Sequence, residues 1–326
     1  MSNQKKVIVT GSSGFIGGHL VRKLKNEGNF IIGIDIELPK YETPHLFFNY
    51  DLRDPVLAKR AFSGNHDIPE ISAVYNLACL MGGMGYIGDT KHSHDIMTGS
   101  TQIIANVLDA CIQYKVKKYF YSSSACVYNM NFQDEEFSPA LSEDMAIPAQ
   151  PDLMYGWQKL CGELMAQAAN EQHGLDIRIA RFHNIFGHEG IWDGGKEKAP
   201  ASLARKVAMC EDGKSINVWG DGNQRRSFLF IDECLIGIEK LMNSDCMEPL
   251  NIGSDEDVSI TQLAEMLIEI SGKKLSIEYD LTKPQGVRGR NSENSLIEKT
   301  LGWKPTSKLY DGLSKTFEWI NKQVNG

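Results

Sequence analysis

Tyr155-Gly156-Trp157-Gln158-Lys159 sets a phenol and an ammonium four residues apart, on one face of any helix that carries them. A free tyrosine, with a pKa of about 10, is a poor base at neutral pH. A neighbouring ammonium, or the positive ring of an oxidised nicotinamide, stabilises the phenolate and brings that value down. A tyrosine so placed can take the proton of a substrate hydroxyl while hydride leaves the same carbon. A second string implies the hydride acceptor. Gly11-Ser12-Ser13-Gly14-Phe15-Ile16-Gly17 follows a β-branched run and opens an amphipathic stretch, its glycines spaced GxxGxxG. Those glycines permit a tight turn, close approach of backbone to a pyrophosphate, and packing of helix on strand. The helix N-terminus then meets the negative charge. Asp35 lies 18 residues past Gly17, at the end of the next apolar run. Its carboxylate is placed to accept both ribose hydroxyls of NAD and to repel the extra phosphate of NADP, so NAD is the expected cofactor. Asp51-Leu52-Arg53 is expected to bracket the adenine.

These groups need a scaffold, and the hydrophobic pattern describes one. Val7–Thr10, Phe30–Ile36, Ala73–Ala78, Lys118–Ser122 and Asp176–Ala180 are short, largely apolar runs. Between them Phe15–Asn26, Ser100–Tyr114 and Tyr155–Glu171 read as helices, the second with Ile103, Ile104, Val107, Leu108 and Cys111 at helical spacing. Continuously apolar strands alternating with helices predict an α/β fold, a Rossmann-like parallel sheet with helices on both faces. After residue 183 the rhythm breaks into Gly-, Trp- and Lys-rich loops and the helices Leu203–Glu211 and Ile260–Ser271. A smaller, discontinuous C-terminal α/β substrate domain is therefore expected. Residues 1–183, with a return near 227–252, would bind NAD, and 184–226 with 253–326 would bind substrate, leaving the site in the cleft between.

The strings TGSSGFIG, Asn76-Leu77-Ala78, SSSACVY at 122–128 and YGWQK resemble the extended short-chain dehydrogenases/reductases. That resemblance implies a Rossmann domain, bound NAD contacted also at Leu77 and Ala78, and a serine, here Ser124, hydrogen-bonded to the reacting hydroxyl. Further strings narrow it: Met81-Gly82-Gly83-Met84-Gly85, Cys126, Arg181-Phe182-His183-Asn184, GGKEKAP at 194–200, WGDGNQRRSFLFIDEC at 219–234, NIGSDE and GVRGRNS. Together, and almost end to end, these resemble the GDP-mannose 3,5-epimerase family. The resemblance implies oxidation of the sugar at carbon 4, which acidifies the hydrogens on carbons 3 and 5, inversion there by an acid–base pair, and re-reduction. Cys126 and Lys198 would be that pair, with base and acid roles unassigned. A thiol with a reference pKa of about 8.5 and a partly buried lysine both exchange protons near neutral pH. By the same resemblance Gly82, Ser124 and Ala125 would meet the sugar. Asn184, Glu197, Lys198, Ala199, Lys206, Gln224, Arg225, Arg226 and either Arg288 or Arg290 would hold the guanosine diphosphate, an arginine fork suiting phosphate. Two departures stand out: Leu80 where the family has an aspartate, and Ile36-Glu37 after Asp35.

Rival chemistries leave different marks. A sugar-nucleotide 4,6-dehydratase carries an Asp-Glu pair where this chain has Ala125-Cys126, and a GDP-fucose synthase uses NADPH and a histidine acid. A simple 4-epimerase needs neither Cys126 nor Lys198, and a non-enzymatic NAD-binding module needs none of these side chains. The net charge of −8 is spread along 326 residues without a basic stripe, which argues against a nucleic-acid polymer as partner. Seven cysteines (Cys79, Cys111, Cys126, Cys161, Cys210, Cys234, Cys246) form no metal-ligand spacing, and His183 and His188 read as structural or peripheral, without a carboxylate or cysteine at ligand spacing, so no metal is expected. The opening MSNQKK has no apolar stretch and no segment is long enough to span a membrane, giving the expectation of a reduced, cytoplasmic protein. The resemblance further implies a homodimer pairing through helices near 92–114 and 155–173.

Overall fold

A computed structural model describes residues 4–63 and 70–326; residues 1–3, part of the MSNQKK opening, lie outside the described residues. The five apolar runs become β1 (Lys6–Thr10), β2 (Phe30–Asp35), β4 (Ala73–Asn76), β5 (Lys118–Ser124) and β6 (Asp176–Phe182), and a further strand, β3 (Leu46–Asn49), lies between β2 and β4 in the chain. Between them lie α1 (Phe15–Asn26), α2 (Pro55–Phe62), α3 (Met84–Ile87), α4 (Ser93–Gln113) and α5 (Leu153–His173). A late strand joins them in one seven-stranded sheet, ordered β3-β2-β1-β4-β5-β6 and then Leu250–Ile252, with every pair parallel. This is the Rossmann-like arrangement the sequence predicts, with crossover helices on both faces.

The continuously apolar strands serve two cores at once, because successive side chains leave a strand on opposite faces. From β1, Val7 and Val9 enter the core under α1, while Ile8 enters the core under α2, α4 and α5. Asp54 starts α2 by accepting from the amides of Val56 and Leu57, and Gly174 ends α5 in the left-handed conformation at φ +69°.

The remaining elements are β7 (Ile185–Phe186), α6 (Ala199–Met209), β8 (Ser215–Trp219), β9 (Arg225–Ser227), β10 (Leu229–Phe230), α7 (Ile231–Met242), β11 (Leu250–Ile252), β12 (Asp257–Ser259), α8 (Ile260–Ser271), β13 (Ser276–Asp280), β14 (Gly289–Arg290), α9 (Ser295–Leu301) and α10 (Leu309–Asn325). β11 is the late strand of the large sheet; β12-β9-β14, β13-β8 and β10-β7 form small separate sheets.

Several boundaries differ from the sequence expectation: α6 is Ala199–Met209 rather than Leu203–Glu211, β4 ends at Asn76 rather than Ala78, β5 and β6 each run two residues further, and α5 extends two residues beyond each expected end. α4 begins at Ser93 rather than Ser100. Over its first two turns only Ile96 and Gly99 are buried, so the apolar stripe that marks the rest of the helix is too sparse there to be read. β2 stops at Asp35, and Ile36 is exposed.

Candidate active site

The loop between β1 and α1 is shaped by contacts a side chain would fill. Gly11 has φ +69°, and a Cβ there would lie 2.9 Å from the Ala78 amide nitrogen; one on Gly17 would lie 2.0 Å from the Gly11 carbonyl oxygen. Gly14 caps α1 with no side chain satisfying the first amides, so those donors face whatever occupies the loop. Asp35 holds the far rim, accepting from the amides of Ser13 (2.9 Å) and Glu37 (3.0 Å). Thr10 ties the end of β4 to β1, donating to Asn76 and accepting from the Ala78 amide. Glycines that admit no Cβ, an uncapped helix N-terminus and a carboxylate at the strand end fit a dinucleotide. Phe15, Ile16, Leu77 and Ala78 line the same loop and strand end. Asp51 lies at its side, paired with Arg53, whose guanidinium holds the carboxyl below the usual range; Leu52 is buried behind it.

The catalytic candidates converge where β5 ends. α5 presents Tyr155 and Lys159 one turn apart, both buried. Lys159 Nζ donates to the Ser122 carbonyl at 2.7 Å and sits 5.7 Å from the centre of the Tyr155 ring. Ser124 hydrogen-bonds Tyr155 and accepts from the Cys126 amide, starting the short turn Ala125–Val127. A Cβ on Gly156 would lie 2.2 Å from the Cys126 carbonyl, so the turn sits directly on the first turn of α5. Cys126 and Tyr155 pack with Ile96, walled by Leu80, Met81, Tyr86 and Ile87. Burial pushes the Tyr155 phenol well above its ordinary range, opposed by the Ser124 bond. Burial also raises the Cys126 thiol, and Asp152 adds to this while Arg290 opposes it.

Lys198 enters from across the cleft as the residue capping α6. Burial lowers its ammonium below the ordinary lysine value; Cys126 opposes that shift and Lys159 adds to it, so all three groups share one electrostatic environment. Its loop is tied to the segment after β4. The Gly83 amide donates to the Lys196 carbonyl at 2.9 Å, and a Cβ on Gly83 would lie 2.2 Å from the Glu197 carbonyl oxygen. Lys196 Nζ covers the Tyr86 ring at 4.6 Å, and Tyr86 stacks on His92. Gly82 is pressed against Tyr86.

The expected nucleotide contacts divide by partner. Arg226 donates to the carbonyls of Arg225 and Val287 and, among the described residues, pairs with no carboxylate; burial lowers its proton affinity. Such a cation is poised for an anion. Lys206 donates to the Asn217 carbonyl and lies 5.7 Å from the Trp219 ring centre, and burial lowers its ammonium as well. Arg225 is paired with Asp257 at 2.6 Å, and Glu197 with Arg205 at 2.9 Å. Asn184, at φ +44°, donates to the Ser227 carbonyl, Gln224 donates to the Trp219 carbonyl, and Ala199 is the first residue of α6. The two arginines of GVRGR part company. Arg288 is half-exposed between Asp221 and Glu136, whereas Arg290 is buried against Cys126, Asp152 and Gln133. Gln133 and Asp152 escaped the sequence reading because only the folded chain brings them to Cys126.

Residues 7–253 match the NAD dependent epimerase/dehydratase family. The chain is 43% identical to GDP-mannose 3,5-epimerase 1 of Oryza sativa subsp. japonica over 99% of its own length and 83% of that protein's. It is 42% identical to GDP-mannose 3,5-epimerase of Arabidopsis thaliana, over 99% of itself and 84% of the relative. Among solved structures, UDP-glucose 4-epimerase of Thermotoga maritima superposes with a TM-score of 0.86 at 23% identity, covering 98% of this chain and 100% of the other.

Proposed function

The chain belongs to the NAD-dependent epimerase/dehydratase family, and on that premise we propose that it epimerises a GDP-linked hexose: GDP-D-mannose to GDP-L-galactose, with GDP-L-gulose as the product inverted at carbon 5 alone. The observation that carries this reading is Cys126 packed on Tyr155 of the Tyr155–Lys159 pair, with Lys198 at the start of α6 near enough for its charge to be coupled to the sulfur. Hydride transfer alone needs only Tyr155 and Lys159.

NAD, when bound, supplies a hydride acceptor for carbon 4 that also returns the hydride, and a positive ring beside the phenol. Gly11, Gly14, Phe15, Ile16, Gly17, Asp35, Asp51, Leu52, Leu77 and Ala78 would hold it. Tyr155 takes the proton of the carbon-4 hydroxyl, with Ser124 bonded beside it and Lys159 stabilising the phenolate. Burial alone raises the phenol, so positive charge must offset it before Tyr155 acts as a base. Once carbon 4 is a ketone, the neighbouring hydrogens are acidic. Cys126 and Lys198, on separate elements, remove a proton and return one at carbons 5 and 3. Tyr155 finally gives its proton back to carbon 4's oxygen; with the hydride restored to carbon 4, no net redox change would remain.

Arg226 and Lys206 would neutralise the diphosphate, with Asn184, Glu197, Ala199, Gln224, Arg225 and Arg288 around the nucleotide and Gly82, Ala125 and Ser124 at the sugar. We assign residues 1–183 and the return near 227–252 to the cofactor domain, and 184–226 with 253–326 to the substrate domain. No helix among the described residues is long and apolar enough to cross a membrane, and we place the enzyme in the cytoplasm as a homodimer.

Incubation with GDP-mannose and NAD in deuterated water tests the reading. Products carrying one or two deuterons, with incorporation lost in Cys126→Ala, are expected. Hydride transfer with no deuterium in any product would overturn it.

A further inference from the structure

Arg290 is tied into the protein through all three of its side-chain nitrogens. Each of its three nitrogens donates inward: Nη1 to Cys126 Sγ at 3.1 Å, Nη2 to Asp152 Oδ2 at 2.7 Å and Nε to Gln133 Oε1 at 2.5 Å. Arg290, Asp152 and Gln133 are 7%, 4% and 0% exposed. The arrangement is held from both ends. Gln133 is fixed by its own bonds to the Tyr128 and Asn129 carbonyls, and its carbonyl accepts from the amides of Arg288 and Gly289, which seats β14. Asp152 is the residue that caps α5, three before Tyr155. One side chain thus connects the start of the catalytic helix to the sulfur.

We propose that Asp152 and Arg290 are positioning residues for Cys126, fixing its sulfur beside Tyr155 and setting the balance between thiol and thiolate that lets it exchange a proton. The inference rests on the reading of Cys126 as a proton-transfer group. Its physics is a contest of two charges. A guanidinium bonded to sulfur favours thiolate, and a carboxylate one bond further away favours thiol. With Arg290 alone the sulfur would be held as a thiolate too weakly basic to recover a proton from carbon. With neither, burial would hold it as a thiol. The other groups coupled to Cys126 are Ser124, which accepts from its amide, Tyr155, which packs on it, and the cations Lys198 at the start of α6 and Arg226 of β9. Tyr155 packs on Cys126 from the first turn of α5, but among these four no side chain bonds both the sulfur and Asp152. Oδ1 of Asp152 is buried without a hydrogen-bond partner, so the carboxylate is under-solvated and its charge is felt by its neighbours.

The test follows the sulfur directly. The pH dependence of Cys126 carbamidomethylation by iodoacetamide is measured by peptide mass spectrometry on the full chain, for the wild type and for Asp152→Asn, Arg290→Gln and Arg290→Lys. Removing the carboxylate should move the reaction midpoint down, and removing the guanidinium should move it up, each by about one pH unit. Arg290→Lys, which keeps the charge, should stay nearer the wild type than Arg290→Gln. Midpoints that do not move, or that move in the same direction in Asp152→Asn and Arg290→Gln, would overturn the proposal, since a purely structural pair has no reason to act with opposite signs. If Arg290→Gln does not fold, Asp152→Asn and Arg290→Lys still decide: the first must shift down, and the second must keep the wild-type midpoint to within a few tenths of a unit. Wild-type deuterium incorporation is scored separately. Its absence would remove the epimerase reading, whereas opposite alkylation shifts would stand without it.

Discussion

At the scale of single residues, the mechanism we propose separates hydride chemistry from proton exchange at carbon. Tyr155 would serve the first and Cys126 the second, though the two side chains pack together. Removing the phenol in Tyr155→Phe should reduce NADH formation and deuterium incorporation together, by roughly 10²–10⁴-fold, the usual worth of a positioned acid–base group. Cys126→Ala should spare the transient absorbance of NADH while abolishing deuterium incorporation. A Cys126→Ala enzyme that still exchanges deuterium at the wild-type rate would take proton transfer away from the sulfur. Arg226 is the complementary case, a cation offered only backbone carbonyls. Arg226→Gln should weaken GDP binding in calorimetry by roughly 10–100-fold, the worth of a charged hydrogen bond, and an unchanged affinity would exclude it from the phosphates. The sequence announced Tyr155 and Lys159 by their helical spacing together with the glycine loop upstream and the apolar run that leads into Ser122-Ser123-Ser124. Cys126 and Lys198 were legible only through long resembling strings. Asp152 and Gln133 were not legible at all, because they lie 26 and 7 residues from Cys126 in the chain and are joined to it by an arginine 164 residues away.

At the scale of elements, glycines measure how closely segments must approach. A Cβ on Gly17 would strike the Gly11 carbonyl at 2.0 Å, with backbone on both sides and nothing flexible to yield. Gly17→Ala should therefore open the β1–α1 turn at about 1–3 kcal/mol. NAD affinity, followed by quenching of tryptophan fluorescence, should fall roughly tenfold or more. Gly83 plays the same part for the loop that carries Lys198, its Cβ position lying 2.2 Å from the Glu197 carbonyl. Gly83→Ala should lower kcat by about 10²-fold through displacement of that loop while changing Tm little, since misplacement by about 1 Å is enough. A loss of Tm matching the loss of rate would point to a folding role instead. These approaches explain which elements the sequence disclosed. α1 and the core strands were readable because one local pattern serves one local purpose, a strand apolar throughout or a helix with one apolar stripe. The first two turns of α4 carry no such stripe. The loops at 81–88 and 194–200 follow no period, being shaped by each other.

At the scale of the whole molecule, two features reach beyond the site. Met154, Trp157 and Leu164 stand exposed on the outer side of α5, at helical spacing, beside α4. A second copy covering these side chains would make a four-helix bundle. Leu164→Glu should then convert a dimer to a monomer in sedimentation velocity, while a wild type already monomeric at micromolar concentration would exclude the pairing. The other feature lies under the sheet, where a buried polar chain joins separate elements. Arg181 grips Glu163 with bonds of 3.0 and 2.8 Å and reaches the Tyr128 hydroxyl, which donates to Asn251, which in turn meets His183 Nε2 at 2.8 Å. β6, α5, β11 and the segment after β5 are thereby locked in one register. His183 is fully buried with Nδ1 unpartnered, and burial holds its pKa at about 3. The unfolded chain takes up a proton near pH 6.5 that the native state refuses, so stability conferred by the neutral ring is complete above about 6.5 and falls as pH drops toward 3. Between pH 6.5 and 5 this one group should remove about 2 kcal/mol of unfolding free energy in urea titrations. His19, also lowered by burial, adds in the same direction. His183→Gln should be less stable than the wild type at pH 7, having lost a bond to Asn251, and yet lose less stability on acidification. Equal pH slopes for the two proteins would mean that the acid sensitivity of the fold is seated elsewhere.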